Sequence, residues 1–190
     1  TSTDLPKPVL PADEKSAGKA RFENLDEAPV KELAELLEHF EFGRTYPFTT
    51  EGAFSIHQLV CSIIRQIGPA RVWIASWTVT EEPLRALQNL KKKGLITELY
   101  GLFDNRIRER NPRGYQFARG VFDHLAFMKS HAKVYLIESE AGSVSVIASA
   151  NWSRNPRLEA GVVLTDPKAF AFYHSLLTEK FHAAQQSTDV

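Results

Sequence analysis

Between Arg71 and Phe103 the chain spells out a strand, a helix and a second strand in immediate succession, and no other stretch restricts the fold as strongly. Arg71-Val72-Trp73-Ile74-Ala75-Ser76-Trp77-Thr78-Val79 is dominated by β-branched and aromatic residues, as a strand requires. Thr80-Glu81-Glu82-Pro83 then supplies the cap, the acids and the proline of a helix start. Leu84, Leu87 and Leu90 follow at helical spacing, and Lys91-Lys92-Lys93-Gly94 closes the element with cations at its carbonyl end and a glycine stop. Leu95 to Phe103 is the next strand. Two strands joined through a helix pair in parallel with a right-handed crossover. The expected fold class is therefore α/β, a mixed β-sheet with helices packed on both faces.

The remaining elements are read around this unit. Residues 1–28 are rich in Pro, Lys and acids and are expected to form a flexible or loosely packed arm. Residues 29–190 are expected to form one domain with an N-terminal helical extension. Pro29 opens a helix that carries Val30, Leu33, Leu36, Leu37 and Phe40 and ends near Gly43. A second helix is expected from about Gly52 to Ile67, a loop over 104–114 and a helix over 115–127. Strands are expected at 131–138, 144–151 and 159–164, and a last helix from Asp166-Pro167 to about residue 185.

Charge excludes a generic polycation, since 23 Lys and Arg balance 23 Asp and Glu in the 190 residues. The distribution is uneven. Residues 105–133 hold Arg106, Arg108, Arg110, Arg113, Arg119, Lys129 and Lys133 against Glu109 and Asp123, whereas the first 51 residues are net acidic. Such a stretch suits an anion-binding face, and equally a solvated helix and loop. The one cysteine excludes an internal disulfide, and Cys61 in its apolar run reads as a small core hydrophobe. No apolar run is long enough for a membrane span, and the start, at Thr1, lacks a signal peptide's basic and apolar regions. A cytoplasmic setting without stable membrane association is expected.

The chemistry is concentrated in one predicted hairpin, Ser130 to Glu138 followed by Val144 to Asn151. In a strand, His131 and Lys133 share a face, as do Ser149 and Asn151. With a turn at Ser139–Ser143 and Gly142 taking the demanding dihedral, Glu138 faces Val144, Lys133 faces Ser149 and His131 faces Asn151. Four polar groups would then meet at one end of an apolar hairpin.

His131-x-Lys133, an acid seven residues after the histidine (Glu138), and Ala148-Ser149-x-Asn151 resemble the motif of the phospholipase D superfamily of phosphodiesterases. Leu158-Glu159-Ala160-Gly161-Val162-Val163 is similar to the segment in which that family places an acid before the next strand. The Val72–Thr80 strand and its Leu-rich helix are similar to the family's first strand and helix. The resemblance covers roughly residues 52–185 and is nearest to the family's small, single-motif nucleases. It departs in three ways: Glu138 stands for Asp, Ala148 for Gly, and the spacing between them is about three residues longer.

The resemblance implies a phospholipase D-like α-β-α sandwich and a metal-independent phosphodiesterase with no cofactor. His131 would form a covalent phosphohistidine. Lys133 and Asn151 would hold the phosphoryl oxygens, Ser149 would orient them, and Glu159 would fix the His131 tautomer. Trp77, Arg106, Lys129 and Arg154 are candidate substrate contacts, and nucleic acid, DNA or RNA, is the expected substrate. An in-line displacement needs a proton donor opposite the nucleophile. His39, His57, His124, His174 and His182 all lack a lysine two positions on, so the second imidazole is expected from a homodimer or from a longer two-motif protein. A phospholipase or phosphatidyl-transferring enzyme and a decayed nucleic-acid-binding module remain the alternatives. Trp73 is expected in the core, His124 on a helix face, and His174 and His182 in packing or solvation.

Overall fold

Seven strands form one sheet in the computed structural model, which describes residues 31–154 and 156–186; the arm expected at 1–28 lies outside the described residues. The elements run α1 (Lys31–Glu38), β1 (Thr45–Thr49), α2 (Ile56–Ile67), β2 (Ala70–Ser76), α3 (Glu81–Lys92), β3 (Ile96–Asp104), α4 (Ile107–Arg110), α5 (Pro112–Val121), β4 (His124–Met128), β5 (Val134–Ser139), β6 (Gly142–Ala148), β7 (Ala160–Leu164) and α6 (Pro167–Gln186). The sheet order is β1-β7-β6-β5-β2-β3-β4. β2, β3 and β4 are mutually parallel, and every other pairing is antiparallel.

Helices cover both faces, because the central strands are apolar on both sides and each face needs a layer over it. On one face Val72, Ile74, Leu99, Tyr135, Ile137, Val144 and Val146 pack under α1, α2, α3 and α5 through Leu33, Leu59, Ile63, Leu87 and Ala118. On the other, Trp73, Ala75, Leu102, Ala126 and Leu136 meet Phe170, Leu177 and Phe181 of α6. The parallel β2–α3–β3 unit, Trp73 in the core and Cys61 at 2% exposure stand as the sequence implies. Burial pushes the Cys61 thiol up to about 12, so it stays protonated.

The structure corrects four expectations. The expected helix over 115–127 ends at Val121, and His124 lies on strand β4. A short apolar run is ambiguous between a helix and a buried strand. Here the Asp123 carboxylate accepts the Leu99 N–H at 2.9 Å and lays the following residues along β3. The expected loop at 104–114 holds α4 and the first turn of α5. Asn111 caps α5 by accepting from Gly114 N at 3.0 Å, ahead of Pro112 in the first turn. β1 was not expected; Pro47 is tolerated in it because β1 lies at the sheet edge.

The fourth correction is the hairpin register. β5 and β6 pair Val134 with Ile147, Glu138 with Ser143 and Ser139 with Gly142, one residue away from the expected alignment. Only Glu140 and Ala141 form the turn. Gly142, with φ at +149°, lies against the Phe42 ring, which a Cβ there would meet at 2.6 Å. The tighter turn shifts every facing pair by one residue. The strands also end at Val134 and Ala148, so His131, Lys133, Ser149 and Asn151 sit on the segments beyond them.

Candidate active site

Strand directions bring the candidate residues to one sheet edge. The carboxyl ends of β2, β3, β4 and β6 and the amino ends of β5 and β7 all lie there. Trp77 follows β2, Arg106 follows β3, and Lys129 follows β4. His131 and Lys133 precede β5, Ser149, Asn151 and Arg154 follow β6, and Glu159 precedes β7. In parallel α/β sheets this edge is where side chains from separate strands converge on a ligand.

The segment that carries Asn151 is tied down on both sides. Tyr135, fully buried, donates its hydroxyl to the Ala150 carbonyl at 2.6 Å. Trp152, also fully buried, donates its backbone N–H to Ser76 Oγ at 2.9 Å, and its carbonyl accepts Thr80 N at 3.1 Å. Asn151 is held between these anchors. Its Oδ1 is buried and has no hydrogen-bond partner, one of three such side-chain atoms among the described residues, with Ser145 Oγ and Trp152 Nε1. A buried amide oxygen without a donor is costly unless an arriving group supplies one.

His131 is exposed, with its ring centroid 5.6 Å from that of Trp77. Lys133 Nζ lies 3.2 Å from His131 Nδ1 and 3.4 Å from Nε2, and donates to the His131 carbonyl at 2.9 Å. Its near-equal approach to both ring nitrogens sets the ammonium beside the imidazole without committing it to one lone pair. Lys133 is 9% exposed, and burial lowers its pKa, with the Glu159 charge opposing the shift. Glu159 in turn accepts the Ser149 hydroxyl in a short hydrogen bond, while Ser149 Oγ accepts Ala160 N at 3.1 Å.

The other candidates divide. Trp77 flanks His131 and carries the Arg110 guanidinium 4.7 Å above its ring. Arg106 donates Nε to Asp104 at 2.9 Å, so its charge is engaged within the protein. Lys129 is exposed, and Arg154 lies 4.0 Å from Glu82. Glu138, the motif acid, is five residues along β5 from Lys133 and pairs with Arg71 at 2.5 Å, away from this edge. His124 pairs with Glu98 at 3.0 Å and stacks on Tyr100, and His174 packs edge-on against Trp73.

Residue-by-residue reading missed four contributors: Ser76, Tyr135, Asp104 and Arg110. The first two are single polar groups inside apolar strands, a signal present in the sequence because such groups need partners. Asp104 is 1% exposed and accepts Arg106 Nε, Arg106 N at 3.2 Å and Ser130 N at 3.1 Å. Burial alone would raise its pKa, but these bonds outweigh it and hold the carboxyl below its usual value. It thereby fixes the residue just before His131. Arg110 carried no signal of its own among so many arginines. No group of three or more His, Cys, Asp or Glu side chains suited to a metal ion occurs among the described residues.

No protein-family model matches the chain, and no curated protein matches it in sequence. Among solved structures, polyphosphate kinase from Porphyromonas gingivalis is similar over 91% of this chain, with a TM-score of 0.53 and 12% identity. That kinase has a phospholipase D-like fold. The chain therefore has an α/β fold of the phospholipase D-like kind. It spans 29% of the length of that kinase. A second similar structure is TrmBL2, an archaeal chromatin protein described with a novel mode of DNA binding, at a TM-score of 0.44 and 15% identity over 82% of this chain and 58% of that one. No helix among the described residues is long and apolar enough to cross a membrane.

Proposed function

We propose that the protein is a metal-independent phosphodiesterase acting on nucleic acid, with residues 29–190 as its catalytic domain. The observation that carries this reading is the convergence of His131, Lys133, Ser149 and Asn151 of the motif, together with Glu159 but without the motif acid Glu138, on one sheet edge from three separate strand ends. His131 is exposed to an incoming phosphate, and Lys133 is held beside it by donating to the His131 backbone carbonyl. In the first step a ring nitrogen of His131 bonds to phosphorus as the bond to the leaving oxygen breaks. That oxygen takes a proton from the imidazole of a second copy of the chain. In the second step water attacks phosphorus, passes its proton to that second imidazole, and the phosphorus–nitrogen bond breaks.

Lys133 and Asn151 stabilise the charge that builds on the non-bridging oxygens. Glu159 orients Ser149 and keeps negative charge near the partly desolvated ammonium. The basic stretch around Arg108, Arg110 and Lys129 supports nucleic acid over lipid as the substrate, because phosphate backbones are bound chiefly through such cations.

The test is hydrolysis of labelled single- and double-stranded DNA, RNA, phosphatidylcholine vesicles and bis(p-nitrophenyl) phosphate, with and without EDTA. The expected result is EDTA-resistant cleavage of nucleic acid that falls by on the order of 10⁴ or more in His131→Ala. Cleavage that survives the substitution or needs a metal overturns the mechanism. Hydrolysis confined to vesicles would assign the enzyme to phospholipids, and binding without turnover would make it a binding module.

A further inference from the structure

Beside the catalytic edge, β4 is the last strand of the sheet, and there α4, α5 and the end of α6 diverge around a cleft of about 550 Å³. Its lining includes Arg108, Glu109, Tyr115, Phe127, Met128 and Lys129. Volume in this range suits a small organic ligand. The walls have two characters. The Tyr115 and Phe127 rings lie 5.2 Å apart at 50°, both half-buried, so each keeps aromatic surface open to the cleft. Arg108 lies 5.1 Å over the Tyr115 ring and donates Nη2 to its hydroxyl at 3.2 Å. Lys129 stands exposed at the rim. Neither Arg108 nor Lys129 is ion-paired among the described residues, and Glu109 is the carboxylate that tempers them.

Lys129 is two residues before His131, and two residues of extended chain reach about 7 Å. The cleft is thus a neighbour of the catalytic imidazole and not a distant pocket. Aromatic faces next to unpaired cations match a planar base joined to phosphate. A base can lie on such rings only when it is unstacked from its own strand neighbours, which a continuous duplex does not allow.

We propose that this cleft is a base-binding subsite for the nucleotide flanking the scissile phosphate, and that the substrate is consequently a single strand. The base stacks against Tyr115 and Phe127, while Arg108 and Lys129 meet the phosphates on either side. The proposal rests on the nucleic-acid reading given above, but its test reads binding and so does not depend on turnover.

The experiment measures fluorescence anisotropy of the full chain carrying His131→Ala with three 5′-labelled probes. These are tetrathymidylate, the same tetramer with every base replaced by an abasic sugar, and tetrathymidylate embedded in a duplex. The single strand should bind about tenfold more tightly than the abasic tetramer, the worth of one stacked base. Tyr115→Ala should erase most of that difference and Tyr115→Phe should retain it. Lys129→Glu, at an exposed position that leaves the fold alone, should weaken both tetramers alike and flatten the salt dependence. Equal affinity of the parent chain for the base-bearing and abasic tetramers, or a Tyr115→Ala chain that discriminates as before, overturns the subsite. Duplex binding as tight as single-strand binding overturns the inferred strandedness. A chain that never cleaves any diester but still shows the tyrosine-dependent preference would sink the catalytic reading and leave the cleft standing.

Discussion

Lys133 and Asn151 illustrate two costs carried at single residues on this edge. The ammonium gives up most of its water for the carbonyl and ring of His131, and the amide oxygen is buried with nothing donating to it. Neither arrangement improves stability; the ammonium becomes useful once a phosphoryl group arrives, whereas only the amide nitrogen of Asn151, not its buried oxygen, can donate to phosphoryl oxygens. On the phosphodiesterase reading, Asn151→Ala should lower kcat by about 10²–10³ with little loss of melting temperature, the pattern of a donor used mainly in the transition state. His57 supports the site from below in a different way. It is 6% exposed, bonded through Nδ1 to Ser55 Oγ at 2.8 Å and edge-on to Trp152. Burial, helped by the Arg154 and Arg65 charges, lowers its pKa to about 4. The unfolded chain takes up that proton near pH 6.5 and the folded chain only near 4, so acidification favours unfolding across this window. The loss amounts to roughly 3 kcal/mol from this one group. Denaturant melts at pH 7 and pH 4.5 should show it, and His57→Gln should remove most of the slope.

At the scale of elements, the site depends on how β6 and β7 pass each other. Gly161 faces Ala148 across that pair, and a Cβ there would come within 2.6 Å of the Ile147 carbonyl oxygen and of the Phe48 ring. Backbone cannot move aside as a flexible side chain can. Gly161→Ala should therefore cost about 1–3 kcal/mol in denaturant unfolding. It should also disturb catalysis, because Glu159 and Ser149 sit just beyond this contact. The hairpin offers a second lesson. Its apolar alternation identifies two paired strands, but their alignment is set by the turn, where Phe42 from a distant segment closes over Gly142. Nothing local to residues 130–151 records that contact. Similarly, the apolar run of β4 reads equally as a buried helix segment, and the reciprocal hydrogen bonds between Leu99 and Asp123, with the β3 ladder beyond them, make it a strand.

For the molecule as a whole, one chain offers a single His-x-Lys motif, and the two-step chemistry proposed above needs an imidazole on each side of phosphorus. Analytical ultracentrifugation should find a species of twice the mass of the 190-residue chain. Mixing wild type with excess His131→Ala should depress the specific activity of the wild-type subunits, since mixed pairs lack one imidazole. A strict monomer with full activity would overturn the shared site.

The sequence alone determined the α/β class, the parallel β2–α3–β3 unit and the pairing of the hairpin strands. It also singled out the motif residues that stand together on one sheet edge. These follow from periodicity, capping and alternation, which are properties of neighbours along the chain. The register, the β4 edge, the Asp104 tether on Ser130 and the Arg110–Trp77 stack belonged to the tertiary structure. Each depends on groups far apart in sequence, whose contact energies exist only after the sheet has brought them within a few ångströms.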